Sequence, residues 1–200
     1  PHRGFTLVEL LTVIAILGIL LTLVTTTTLR VWYRGQMTSC TNKQYQIAFA
    51  LLRYDDLNRR IPGWLNDNPH GAPGASSWPV ELLPFLGRSD IYDAWPPQPP
   101  CEQDWPGKSS VKNLTIDIFI CPSNRPRKDP GYPVIHYAAN TGVDGMDKDD
   151  GVFLYRYTKN KNLLPQPAIS LDDIIDADGS GTTLAFSEKA GRWVNNPHTW

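Results

Sequence analysis

The sequence is poor in the residues that carry chemistry. Its 200 positions include three cysteines, four histidines and two methionines. The histidines stand apart at positions 2, 70, 136 and 198, none with the spaced partner that a metal ligand or a general base needs. There is no H-E-x-x-H, no C-x-x-C and no G-x-S-x-G. Gly107-Lys108-Ser109 has the tail of a phosphate loop, but Glu102 stands where its first glycine belongs. These absences argue against an enzyme, including one secreted and tethered to a membrane. A charge excess is missing as well: 19 Lys and Arg face 20 Asp and Glu. The chain therefore has no basic footprint for a polyanion, and no nucleic-acid partner is expected.

What is present is concentrated at the N-terminus. Residues 5–24, FTLVELLTVIAILGILLTLV, are almost wholly apolar and come close to the roughly 20 residues that cross a bilayer as a helix. Thr25 to Thr28, then Arg30 and Arg34, close the run with a polar boundary. A cleaved secretory signal has a shorter apolar core ending in small residues, which this run lacks. An uncleaved signal anchor fits the length but not Glu9. A carboxylate inside an apolar helix costs about 2.5 to 3.5 kcal/mol at the bilayer centre, so it marks a function and calls for a partner.

The run Arg3-Gly4-Phe5-Thr6-Leu7-Val8-Glu9 closely resembles the prepilin processing motif of type IV pilins and type II secretion pseudopilins. That resemblance implies cleavage by a prepilin peptidase between Gly4 and Phe5 and methylation of the new Phe5 amino group. It also implies pairing of Glu9 with the cationic N-terminus of a neighbouring subunit. Glycine suits the position before the cut, because a backbone without a Cβ admits an enzyme closely. Residues 1–4 are then a leader remnant, and since the chain opens on Pro1 rather than Met, further leader residues are expected before it. The precursor is expected to cross the inner membrane once, with its head periplasmic or extracellular, before assembly with other pilin-like subunits into an envelope filament.

Beyond the apolar run, Met37, Cys40, Gln44, Ile47, Leu51 and Tyr54 recur every three or four residues, joined by Ala48 and Leu52. This predicts that the helix continues as an amphipathic half over residues 30–60. Ile61-Pro62-Gly63 should end it, with Gly18, Gly35 and the threonines as places to bend or melt. Residues 61–200 form the head. Its 18 prolines and 15 glycines, counted over the whole chain, point to long loops. Trp78, Leu82 and Leu86 predict a short helix distorted near Pro84. Ile116 to Ile120, His136 to Ala139, Val152 to Tyr157 and Thr182 to Ser187 predict four strands of one antiparallel sheet packed on the amphipathic half. The expected class is α+β.

The head also resembles a large family of pilin-like proteins with the methylation motif and a head of unassigned function. Its signposts are Cys40-Thr41-Asn42, Ser77-Trp78 with Leu82 to Leu86, Phe119 to Ser123, Asp150 to Phe153, and Asp178 to Thr182 with Glu188; Ala177 to Thr183 departs from the usual run. A Cys40–Cys121 disulfide is expected in an oxidising compartment, closing a loop worth roughly 3 to 4 kcal/mol and leaving Cys101 over. Three unpaired thiols are the alternative. Asp172, Asp173, Asp176 and Asp178 crowd one stretch, and counting from Asp176 the sixth position is the glycine of a calcium loop, but the twelfth is Ser187, with Glu188 one late. Asp176, Asp178 and Glu188 are thus candidates for calcium, set against solvated turns there and at Asp144, Asp147, Asp149 and Asp150. No other cofactor is expected. The functional expectation is a structural filament subunit. The alternative is an anchored binding module whose loop-rich head, with its aromatic excess of Trp64, Trp78, Trp95, Trp105, Trp193 and Trp200, recognises a surface polymer or partner.

Overall fold

The computed structural model describes residue 4 and residues 6–71, 75–95, 115–124, 135–143, 151–158 and 165–189. One long helix, α1 (Leu7–Asn58), carries a small head made of short elements. At 1.5 Å per residue its 52 residues extend about 78 Å. Thr6 caps its start, and Arg59 ends it in the left-handed region at φ 53°, its N–H bonded to the Asp55 carbonyl. The chain is helical through Gly18 and Gly35, where a bend or local melting was expected.

Only the second half of α1 meets the head. Cys40, Ile47, Ala50, Leu51 and Tyr54 are buried, while Met37 and Leu52 of the expected stripe are exposed, so the contact face is narrower than the apolar pattern. Across it lie α2 (Trp78–Leu82), which passes into a 3₁₀ turn at Leu83–Leu86, and then α3 (Ser89–Asp93). The change of helix type falls at Pro84, which has no N–H to continue the ladder, and Gly87 closes the turn at φ 73°. Trp78 is the hub of the core, with Phe119, Phe153 and Phe186 ring centroids at 5.9, 5.4 and 6.2 Å.

The head is not one four-stranded sheet. Among the described residues, β1 (Leu65–Asp67) pairs antiparallel with β2 (Ala75–Ser77), and β3 (Tyr137–Ala139) with β4 (Phe186–Glu188). Residues expected as a strand at Ile116 to Ile120 instead turn as a 3₁₀ helix at Asp117–Phe119. Lys43 explains the difference. Its ammonium donates to the Asp117 and Ile120 carbonyls at 2.7 and 2.9 Å and to the Asp117 carboxylate at 2.9 Å, meeting carbonyls that a sheet would otherwise take. Phe119 points from this turn into the core. The segment from Val152 to Tyr157 likewise makes a single parallel bridge, Tyr155 to Leu65, rather than a strand. The last strand begins at Phe186, later than the expected Thr182.

Cys40 and Cys121 are joined by a disulfide, with Cα atoms 5.1 Å apart and a sequence separation of 81. The bond ties α1 to the end of the Asp117 turn, and the Ser123 hydroxyl sits 2.9 and 3.2 Å from the two sulfurs. Cys101 lies outside the described residues.

Candidate assembly site at the N-terminal helix

Residues Leu7–Val24 form a stretch of α1 long and apolar enough to cross a membrane, and none of it packs against the rest of the chain. A surface of this size and character is unstable in water and needs lipid or other helices around it. Its polar groups are handled internally. The Thr12 and Thr22 hydroxyls donate to the Glu9 and Ile19 carbonyls at 3.0 and 2.8 Å, so the threonines leave no free donor among the apolar side chains.

Glu9 is the charged exception, and the structure gives it a local role that the motif alone did not suggest. Its carboxylate accepts from the Thr6 backbone N–H at 2.8 Å and from the Thr6 hydroxyl at 2.7 Å, while the Glu9 N–H donates back to the Thr6 oxygen at 3.4 Å. This reciprocal capping box fixes the start of α1. Thr-x-x-Glu is its sequence signature, legible in residues 6–9 but hidden inside the longer motif. Gly4 is exposed, with open space where a Cβ would stand. Phe5 lies outside the described residues.

Residues 37–198 match the family described as a protein of unknown function (DUF1559), and residues 1–25 match the prokaryotic N-terminal methylation motif. The chain belongs to the DUF1559 family. Together with the motif, the DUF1559 head makes this a type IV pilin-like protein of α+β fold. No curated protein and no solved structure matches it. The apolar helix and the prepilin-type motif fit a single-pass, membrane-anchored precursor.

The other expected site residues of this DUF1559 head fall elsewhere. Asp172, Asp173 and Asp176 lie on α4 (Leu171–Ala177), where Asp173 forms a second capping box with Ser170. The Leu171 N–H reaches Asp55 of α1 at 3.2 Å. Asp178 caps the other end, and Gly179 at φ 84° donates to the Ile174 carbonyl, so this stretch is a helix terminus rather than a coordinating loop. Asp176, Asp178 and Glu188 do not converge. The acidic, Cys and His groups that do come within reach of one ion, among the described residues, are Cys40, Cys121 and Glu188, and the two sulfurs are spent in the disulfide. Asp144, Asp147, Asp149 and Asp150 lie outside the described residues, as do Trp105, Trp193 and Trp200.

The described histidines hold structure. His136 is buried, and its Nδ1 accepts from the Cys121 N–H at 3.1 Å. Burial lowers its pKa below the ordinary 6.5, so the ring stays neutral there. His70 packs on Tyr92, with ring centroids 5.6 Å apart.

Proposed function

We propose that this protein is a non-enzymatic structural subunit of a type IV pilus-like or type II secretion pseudopilus filament. A prepilin peptidase cuts it between Gly4 and Phe5, and it assembles with other pilin-like subunits through α1. The head then faces the periplasm or the exterior, and the inner membrane holds the precursor.

The observation that carries this reading is an unpartnered apolar helix with one carboxylate, Glu9, at its fifth position after Gly4. In the membrane or in a filament core, that carboxylate lowers its free energy by pairing with a cation, and a neighbour's new amino group is the nearest chemistry of that kind. Glu9 variants test it. Glu9→Gln keeps an acceptor for the Thr6 N–H and removes the charge; Glu9→Ala removes both. Both variants are expected in the membrane and processed, but missing from the sheared filament fraction. Wild-type incorporation of Glu9→Gln would contradict the charge pairing.

A further inference from the structure

Where α1 ends, the head forms a half-open cavity of about 450 Å³ between the helix terminus, β1, α2 and the Tyr155 segment. This is within the range of small-ligand pockets, roughly 300 to 1,000 Å³. Two arginines from distant parts of the chain line it, Arg60 just past the helix and Arg156 beside the Leu65–Tyr155 bridge. Both are half-buried. Arg156 reaches the Gln166 carbonyl only at 3.5 Å. Among the described residues no carboxylate stands within 4.0 Å of either guanidinium; the ion pairs there are Lys43–Asp117 and Arg88–Asp90.

The walls around the two cations are already committed. Both Asp67 oxygens accept from Thr158, from its N–H at 2.9 Å and its hydroxyl at 2.7 Å. The Asn66 amide is closed onto Gly63 by two hydrogen bonds of 2.7 and 2.8 Å. Gly63 has to be glycine, because a Cβ there would strike the Leu154 carbonyl and the Arg156 side chain. Arg156 is therefore seated, not draped over a surface. Burial, and next the charge of Arg60, disfavour its ionised form, and Tyr54 and Asp67 offset this only in part. Like charges held together out of water are costly unless an anion joins them, and a guanidinium fork is shaped for a carboxylate. Glu81, buried in the same wall, accepts from Ser76 through Oε1 and leaves Oε2 without a partner among the described residues. Tyr54, Phe85 and Tyr92 supply aromatic surface for the body of a ligand.

We infer that the head binds a small organic carboxylate in this cavity, with Arg60 and Arg156 taking the carboxylate and Glu81 a hydroxyl or ammonium group. This goes beyond a filament role and does not depend on it. The test is calorimetric titration of the full chain in detergent micelles with D-glucuronate and with L-glutamate, and inorganic phosphate as the oxyanion control. One of the two carboxylates is expected to bind one to one at millimolar affinity or better, phosphate more weakly. Arg60→Gln and Arg156→Gln should each weaken that binding about tenfold or more. Arg156→Lys keeps the charge and packs similarly; it should weaken binding less, and it serves if the glutamine variant fails to fold. Absence of saturable binding by both carboxylates, equal affinity in the arginine variants, or tighter binding of phosphate would each overturn the assignment.

Discussion

In the isolated chain the Glu9 carboxylate is held by the Thr6 amide and hydroxyl, so a filament contact has to draw it from a cap or share it. This local partner was readable as Thr-x-x-Glu. Arg60, Glu81 and Arg156 were not readable, since nothing in residues 60, 81 and 156 taken singly marks a common cavity; they meet only in the folded head, where the packing of Gly63 against Leu154 seats Arg156. Two buried titratable groups give opposite pH dependences. Burial lowers the His136 pKa, so between its folded value and the ordinary 6.5 the unfolded chain binds more protons and stability falls as pH drops through that window. His136→Gln should flatten that acid-side loss in thermal melts. Burial raises the Glu81 pKa above its ordinary 4.5, so its stabilising protonated form is lost as pH rises from that value through the folded one. Glu81→Gln keeps the Ser76 contact and should raise Tm over the wild type at neutral pH, the difference shrinking as pH falls until the two proteins converge below the ordinary 4.5.

At the scale of elements, α1 was legible because its apolar run and its three-and-four spacing are long and uninterrupted, and the Pro62-Gly63 stop is strong. The short strands were less so. Ile116, Ile118 and Ile120 alternate as a strand should, yet Lys43, 74 residues from Asp117, meets the turn's carbonyls and the disulfide anchors its end. Three-residue strands carry too little pattern to set their own boundaries, as the late start at Phe186 shows. Lys43→Met takes the ammonium donor from the Ile120 carbonyl and leaves the Asp117 carbonyl with the Ile120 N–H alone, and should cost about 1 to 3 kcal/mol in denaturant unfolding, chiefly by loosening the Asp117 turn. The double change Cys40→Ser, Cys121→Ser opens a loop with a sequence separation of 81 and should cost about 4.5 kcal/mol by the loop-entropy model. Matching destabilisation of the wild type by a reductant would assign the effect to the bond; no shift in either would remove the staple from the account of stability.

For the whole molecule, the division of α1 sets the biology. Its first half exposes apolar side chains along Leu7–Val24 with nothing of its own to cover them, while its second half is the spine of the head core through Cys40, Ile47, Leu51 and Tyr54. The head can therefore fold on one half and leave the other to lipid or to neighbouring helices. The filament reading rests on processing at that exposed end. Intact mass and N-terminal sequencing of the envelope-purified protein, beside a Gly4→Val variant, test it most directly. A mature wild-type chain beginning at N-methylated Phe5, with the variant left uncut, is the expected result. A wild-type chain that keeps Gly4 and the residues before it would contradict the pilin assignment and leave an anchored head.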